Sequence, residues 1–246
     1  MTCDIFIRSY WRDFPWLEYC IKAIERYCHD FNEVVVVIPE NSRPWLSRHP
    51  GILGNSRLEI DRNYSDDYLG QQVTKLHADT FSQADLICHI DSDCIISRPI
   101  QPEDIAPGGI PRVYTRPIAA LPRHWPWTQP TQEFLECNVS HDFLQYPPFT
   151  FPKWLYPLLR TWTSETKGTS LEDWVMSRPA RGFSEFNALA AYAYIHYRDK
   201  FIWTRATDMG EAEQCCKWFW SWGGLNDSIR HDIEETIKSE AAYDHP

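Results

Sequence analysis

The chain is poor in glycine, with 10 in 246 residues, and it contains neither a Gly-x-Gly-x-x-Gly sequence nor a Walker-type phosphate loop. These absences exclude the ordinary dinucleotide-binding and P-loop interpretations, because both depend on glycines that let the backbone approach phosphates. No apolar run comes near the roughly 18 residues that a membrane-spanning helix needs. The first residues also lack the basic and apolar segments of a signal peptide. We therefore expect a cytoplasmic protein without a membrane partner.

Cysteine is present, but not in the pattern of a metal site or a disulfide framework. The eight cysteines include no Cys-x-x-Cys pair and no Cys/His spacing of a zinc module. Cys3, Cys20, Cys28 and Cys88 lie in apolar stretches. We predict that they are reduced, buried and used as small hydrophobic side chains.

An excess of positive charge is also missing, since the formal net charge is −10. A generally basic surface for nucleic acid is therefore not expected. The charge is uneven, because residues 105–205 carry 11 Lys or Arg and 8 Asp or Glu, which makes this the only net positive part. With 43% hydrophobic and 24% charged residues, the composition is that of a globular protein, and the length suits one domain over residues 1–246.

Tryptophan is abundant, with twelve in the chain, and many of these residues stand near proline. Large aromatic side chains most often anchor cores and loops. Some of them could instead form stacking platforms for sugar or base rings.

The order of hydrophobic patterns predicts an α/β fold with a mostly parallel, Rossmann-type sheet flanked by helices. Strands are predicted at residues 3–8, 34–38, 57–61 and 86–93, and helices at 14–27 and 68–81. After a proline-rich stretch at residues 99–131, further strands are predicted at 112–115 and 201–204. Helices are predicted at 153–162, after Ser170, from Ser184 to about Tyr197, and from Asn226 or Asp227.

Two carboxylates end the buried run Leu86-Ile87-Cys88-His89-Ile90-Asp91-Ser92-Asp93. Unpaired buried charge is costly, so these acids need a partner, and on a continuing strand their side chains would face the same way. The sequence predicts that Asp91 and Asp93 hold Mn²⁺ or Mg²⁺ together with the oxygens of a diphosphate, with Ser92 in the same donor site. The alternative is a solvated turn with Asp93 as a helix cap.

The loop after the first strand is expected at the same edge of the sheet. Ser9 and Tyr10 could hold a base and a ribose, Arg8 or Arg12 could meet phosphate, and Asp13 is included in this donor site. Lys75 on the preceding helix could also reach a phosphate, although a lone helical lysine is usually a solvated charge.

Glu185 is the predicted general base for an acceptor hydroxyl, and Asp173 is its rival. Both have structural alternatives, because Glu185 stands in the first turn of a helix and Asp173 stands at the third position of a capping box. A helix N-terminus favours the charged carboxylate, which works against a strong base. Four histidines, His77, His89, His196 and His231, could add a metal ligand, and their spacing selects none.

Several segments together resemble a family of small GT-A-like proteins that occur in bacteria and phages and are defined mainly as a domain of unknown function. The segments are Phe6-Ile7-Arg8-Ser9-Tyr10 with Asp13, Val34 to Glu40, Gln71-Gln72-Val73-Thr74-Lys75-Leu76, His89 to Cys94, Phe183-Ser184-Glu185-Phe186-Asn187, and Trp220-Ser221-Trp222-Gly223-Gly224.

The resemblance implies a GT-A-like fold and a metal-dependent glycosyltransferase, with the metal at Asp91 and Asp93 and an acid at Glu185. Residues 1–98 would bind the nucleotide sugar, most simply a UDP-sugar for a hexosyltransferase, and residues 99–246 would face the acceptor. The leading acceptor is a hydroxymethylated pyrimidine in phage-type DNA, which would place the protein in a host cytoplasm if a phage encodes it. A bacterial saccharide or small molecule is the alternative acceptor, and a non-catalytic nucleotide- or glycan-binding module is the alternative function.

Overall fold

The computed structural model describes residues 1–123, 125–210 and 214–238, and its centre is a five-stranded, mostly parallel sheet. The strand order is β3-β2-β1-β4-β8, in which the first four strands are parallel and β8 is antiparallel to β4. The strands are β1 (Cys3–Arg8), β2 (Val34–Pro39), β3 (Arg57–Asp61), β4 (Leu86–His89) and β8 (Phe149–Pro152). The mixed α/β class predicted from the sequence is therefore confirmed.

Helices cover both faces of this sheet, because alternate residues of its central strands enter two different cores. Phe6 of β1 belongs to one core, whereas Ile5 and Ile7 belong to the other. The helices are α1 (Phe14–Tyr27), α2 (Asp67–Leu76), α3 (Ala78–Phe81), α4 (Pro102–Ile105), α5 (Thr128–Leu135), α6 (Leu155–Lys167), α7 (Leu171–Met176), α8 (Glu185–His196) and α9 (Asp227–Lys238). Buried residues of α1 pack on one face, and those of α2, α6 and α8 pack on the other.

Two small sheets complete the architecture. β5 (Cys94–Ile96) pairs with β10 (Cys216–Trp218), and β6 (Arg112–Pro117) pairs with β7 (His141–Asp142) and β9 (Ile202–Arg205). The β5–β10 pair brings the late part of the chain beside the two acids. In the part of the chain that the structure describes, no helix has the length and apolarity that crossing a bilayer requires.

Most predicted elements are present, with shifted ends. The helix predicted at residues 68–81 is two helices, because the backbone at His77 leaves the helical conformation. Ser170 caps α7 as predicted, with its hydroxyl accepting the Asp173 N–H at 3.0 Å. Ser184 occupies the N-cap of α8, but its side chain makes no capping hydrogen bond.

The prediction that one strand runs through both acids is wrong. β4 ends at His89, and a turn closed by the Cys94 N–H donating to the Asp91 carbonyl at 2.9 Å separates it from β5. Asp91 and Asp93 therefore lie in a turn between two strands. The alternative predicted a turn, which is present, but it is wrong about a solvated Asp93 that caps a helix, since Asp93 is buried and a strand follows it.

Candidate active site at the carboxyl edge of the sheet

The carboxyl ends of β1 and β4 meet at one edge of the sheet, because these strands are adjacent and parallel. Arg8 and Ser9 leave β1 there, and the turn that carries Asp91 and Asp93 leaves β4 there. This edge is where open α/β sheets bind their ligands. The sequence-based placement of the two loops on the same edge is thus confirmed.

A buried lysine connects the first acid to Glu185. The Lys75 ammonium lies 2.5 Å from the Asp91 carboxylate and 2.9 Å from the Glu185 carboxylate. Burial opposes the charged lysine, but Asp91 and Glu185 together raise its pKa. The solvated lysine expected from the helical pattern is therefore wrong, since Lys75 is only 3% exposed.

Asp93 is fixed by the backbone of the late loop. Its carboxylate accepts the Ser221 N–H at 2.7 Å, and its carbonyl accepts the Phe219 N–H at 3.0 Å. Burial and then the neighbouring charge of Asp91 raise the pKa of Asp93, although the bond from Ser221 acts in the opposite direction. Asp93 is therefore a buried carboxylate beside a second acid, and a nearby positive charge would stabilise its charged form.

A third carboxylate, Asp13, lies near Asp91 and Asp93. Asp13 stands at the N-cap of α1, where its side chain makes no capping hydrogen bond. Burial raises its pKa to about 7, and the charges of Asp93 and Asp91 contribute to that rise. Three acids thus share a region in which each disfavours the charge of the others.

Arg8 is already paired. Its guanidinium binds both carboxylate oxygens of Asp67 at the start of α2, with one contact at 3.2 Å, and its side chain is buried. Arg12 lies on the surface with its guanidinium 4.8 Å from the centre of the Trp11 ring. In this structure, Arg8 therefore fixes the loop after β1 to α2, and Arg12 is the more accessible of the two cations.

Several buried polar atoms at this edge have no hydrogen-bond partner within the described residues. They include Arg8 Nε, the Ser9 hydroxyl and the Gln72 side-chain carbonyl. Gln72 lies one turn before Lys75 on α2, so these two residues share a helix face. Buried polar groups are normally paired, so the Ser9 hydroxyl and the Gln72 carbonyl are available to a ligand.

Tyr68 and Arg181 are exposed residues near Glu185. Burial and the charge of Glu185 raise the pKa of Tyr68 to about 12, whereas Arg181 and Lys75 oppose that rise. Tyr10, predicted to contact the donor, is half-buried, and burial and Asp13 raise its pKa. Asp67, Tyr68 and Gln72 were not predicted, although their spacing from Lys75 on one helix was a usable signal.

Aromatic rings form a second wall beside Asp93. Trp218 and Trp220 are stacked with their ring centres 4.2 Å apart, and Trp222 meets Trp220 edge to face at 5.8 Å. The Arg181 guanidinium lies 4.8 Å from the centre of the Trp222 ring. The segment Trp220 to Gly224, which contributes to the resemblance in sequence, contains a single 3-10 turn at Ser221–Gly223.

Other predicted residues lie elsewhere or have structural partners. Asp173 is exposed and accepts the Ser170 hydroxyl at 2.7 Å, so its described contact is that of a capping residue. His89 is buried among aromatic rings, with its Nε2 2.6 Å from the Tyr156 hydroxyl, and its pKa is lowered well below the ordinary value by burial and by Lys75. His77 contacts the Val73 carbonyl at 3.0 Å. His196 packs against Tyr192, and His231 is on the surface of α9.

The acids fit a divalent cation that a substrate helps to hold. Across the residues described, no group of three His, Cys, Asp or Glu is arranged to bind a metal ion. Mg²⁺ in phosphate-handling sites, however, is commonly held by one or two carboxylates, with phosphate oxygens and water as its other ligands. Burial, and then repulsion between the acids, raises the pKa values of Asp93 and Asp13, and the positive charge of a bound cation would offset both effects.

The comparisons with known proteins identify a family but no activity. A search of curated proteins found no match. A family model described as a family of unknown function, DUF6492, matches residues 17–197, a span that includes Lys75, Asp91, Asp93 and Glu185. Because that match covers well over half of the 246 residues, the chain belongs to the DUF6492 family.

Proposed function

We propose that this site transfers a sugar from a nucleotide sugar, most simply a UDP-sugar, to a hydroxyl acceptor. One observation carries the proposal. Lys75 joins Glu185 to the acidic turn at the carboxyl edge of the parallel sheet. Asp91, the acid expected to lie near the phosphates, and Glu185, the candidate base, therefore contact the same ammonium group. The mostly parallel sheet flanked by helices and the resemblance in sequence support the same activity.

The donor would lie along the edge formed by the loops after β1 and β4. Asp91 and Asp93 would hold Mn²⁺ or Mg²⁺, which neutralises the charge that develops on the leaving nucleoside diphosphate. Ser9 has an unpaired buried hydroxyl for the donor, and Tyr10 and Ser92 lie beside it in the same two loops. Asp13 adds negative charge to the set, which makes a cation more favourable there.

The proposed reaction is a single displacement. The acceptor hydroxyl oxygen attacks the anomeric carbon and forms the new glycosidic bond, while its proton passes to the Glu185 carboxylate. The bond between the anomeric carbon and the phosphate oxygen breaks, and its electron pair leaves with the nucleoside diphosphate. This step inverts the anomeric configuration. Lys75 orients Glu185 through their 2.9 Å contact.

The test combines nucleotide binding with turnover in the same set of variants. We expect UDP with Mn²⁺ to raise the melting temperature, by an amount that corresponds to about 2.7 kcal/mol at a hundred times the Kd. Asp91→Asn and Asp93→Asn should lose that shift. Glu185→Gln should keep it and lose hydrolysis and transfer of a UDP-sugar, whereas the exposed Asp173→Asn should keep both. A wild-type protein that shows no shift with UDP and Mn²⁺ and no turnover of any nucleotide sugar would refute the proposal.

A non-catalytic nucleotide- or glycan-binding module is the second candidate. The pairing of Glu185 with Lys75 favours it, because the carboxylate oxygen that contacts the ammonium is already occupied and is not free to meet an acceptor hydroxyl. Binding of UDP without hydrolysis or transfer, in the assay above, would identify this alternative. The hydroxymethylated DNA base stays a prediction for the acceptor. The loop beside Asp93 provides an argument about the chemical class of the acceptor.

A further inference from the structure

A continuous row of aromatic rings runs from solvent to the residue next to Glu185. Trp222, Trp220, Trp218, Phe149 and Phe186 are consecutive neighbours, with the last pair stacked at 4.3 Å between ring centres. Phe186 follows Glu185 in α8, and its ring lies 4.9 Å from the Lys75 ammonium. The row therefore connects the surface to the proposed base.

The two outer indoles are exposed although the loop that carries them is held firmly. Trp222 is 70% exposed and Trp220 is 47% exposed. Trp220 has a φ of 57°, a left-handed conformation that is unfavourable for a bulky side chain, and the next residue donates its N–H to Asp93 at 2.7 Å. Arg181, whose φ is 63°, lies over Trp222. Strained backbone that presents apolar rings to water indicates a binding role.

The charge around the row favours a neutral ligand. Asp93 contacts the loop, and Glu185 lies at the inner end of the row. The cations described beside the row already have partners: Lys75 is paired with Asp91 and Glu185, Lys217 is paired with Asp232, and Arg181 lies over Trp222. A polyanionic strand would therefore find little unpaired positive charge among the residues described here. A saccharide ring presents C–H groups, and these suit the negative face of an indole.

We propose that Trp220 and Trp222 form the acceptor subsite, and that its occupant is a neutral saccharide ring stacked on these indoles. The assignment of this subsite to the acceptor rests on the proposed function, whereas stacking of a saccharide ring on the indoles does not require catalysis. The outer indoles lie at the solvent end of the row, and its inner end is Phe186, the residue after Glu185. The subsite would therefore hold a distal ring of the acceptor, and a further unit of the acceptor would carry the hydroxyl to Glu185. Arg181 limits the free area of Trp222 and so helps to define which face is used.

The experiment measures binding to an array of neutral oligosaccharides and to a single-stranded oligodeoxynucleotide with hydroxymethylcytosine. Wild type is compared with Trp222→Ala, Trp222→Phe and Trp154→Ala, the last a matched control at a 39% exposed tryptophan that packs on Tyr197 and Phe201. We expect wild type to bind oligosaccharides, Trp222→Ala to bind about tenfold or more weakly, and the other two variants to keep most of the affinity. Melting temperatures confirm that each variant folds.

Three results would overturn the inference. Wild type could bind no oligosaccharide, Trp222→Ala could bind as tightly as wild type, or the oligonucleotide could bind in a Trp222-dependent way in place of sugars. The same variants are titrated with UDP and Mn²⁺. If wild type binds glycans in a Trp222-dependent way but does not bind UDP with Mn²⁺, the proposed function is refuted and the saccharide subsite is kept. If wild type binds UDP with Mn²⁺ but shows no Trp222-dependent glycan binding, only the subsite is refuted.

Discussion

Lys75 is the residue on which the arrangement of the site depends most directly. Its ammonium contacts the carboxylates of both Asp91 and Glu185, and all three side chains are largely buried. Removing one partner of a buried ion pair leaves uncompensated charge, which typically costs about 3–5 kcal/mol. We predict that Lys75→Ala lowers the free energy of unfolding by that order, as measured by urea denaturation.

The control for this prediction is Lys22→Ala. Lys22 pairs with Glu18 at 2.7 Å, but both side chains are about half exposed, so the loss should be roughly 0–1 kcal/mol. Equal and small losses for the two variants would show that Lys75 is not a structural cation. A stability loss in Lys75→Ala that Mn²⁺ partly restores would show that a cation can replace the ammonium charge.

Asp13 supplies a pH-dependent prediction. Burial, with help from Asp93 and Asp91, raises its pKa to about 7, whereas the unfolded value is near 3.8. The folded protein therefore keeps a proton that the unfolded chain releases, and stability should fall as pH rises from about 4 to 7. Asn resembles the protonated acid, so Asp13→Asn should be more stable than wild type at pH 7.5, by on the order of 1–3 kcal/mol, and equal to it near pH 4.

Urea midpoints of both proteins across this pH range provide the measurement. The difference between the two curves isolates Asp13 from His89, whose lowered pKa acts in the opposite direction in both proteins. A difference that stays constant with pH would contradict the raised pKa of Asp13.

These residue-scale properties show how far local pattern could predict the site. Asp91 and Asp93 were selected because a buried strand that ends in two acids is visible in the sequence, whereas Glu185 was selected mostly on the resemblance. The burial of Lys75 was missed because its partner Glu185 lies 110 residues away, and helical periodicity contains no information on such contacts. Gln72 became notable only when its buried side-chain carbonyl was found without a partner.

At the scale of elements, the β5–β10 pair decides where the late loop lies. Its register places Trp218 opposite Cys94, so the loop that follows β10 starts beside Asp93. The Ser221 N–H then fixes that loop to the Asp93 carboxylate. We predict that Ser221→Pro, which removes this donor, detaches the loop and weakens UDP–Mn²⁺ binding. Intrinsic tryptophan fluorescence should shift as the Trp218–Trp220 stack loosens.

The matched variant is Ser221→Ala, which keeps the backbone N–H and removes only the hydroxyl. It should behave as wild type in fluorescence and in nucleotide titration. If Ser221→Ala and Ser221→Pro have the same effects, the backbone bond to Asp93 is not what holds the loop.

The elements that were mispredicted share a physical cause. The apolar run at residues 86–90 extends to the acids, yet β4 ends at His89 because the chain must turn into β5 to pair with β10. β8 was not predicted because it has only four residues, follows Pro147 and Pro148 and ends in Pro152. It joins the sheet through antiparallel pairing with β4. Both outcomes depend on pairing between distant segments, which sequence periodicity does not encode.

At the scale of the whole molecule, composition and pattern were enough for the α/β class and for the parallel strands β1 to β4. Each of these strands corresponds to a strand-like hydrophobic pattern that can be recognised locally in the sequence. The proline-rich stretch at residues 99–131 is more structured than its composition suggested, since it contains α4, β6 and the start of α5. Its order comes from packing against the rest of the fold, as in the pairing of β6 with β9.

The cysteines report on the integrity of that whole fold. All eight are free, and among them Cys137 is exposed, whereas Cys3, Cys20, Cys88, Cys94 and Cys216 are buried. Burial raises the pKa of each of these five thiols, so little reactive thiolate forms at neutral pH.

We predict that iodoacetamide at pH 7.5 modifies Cys137 first in the native protein. The five buried thiols should react only as fast as the molecule unfolds, so their labelling should accelerate together in urea. Peptide mass spectrometry distinguishes the sites, and Cys137→Ser is the control that should remove the fast phase. Rapid native labelling of Cys88, which lies in the central strand β4, would contradict the packing of the sheet described above.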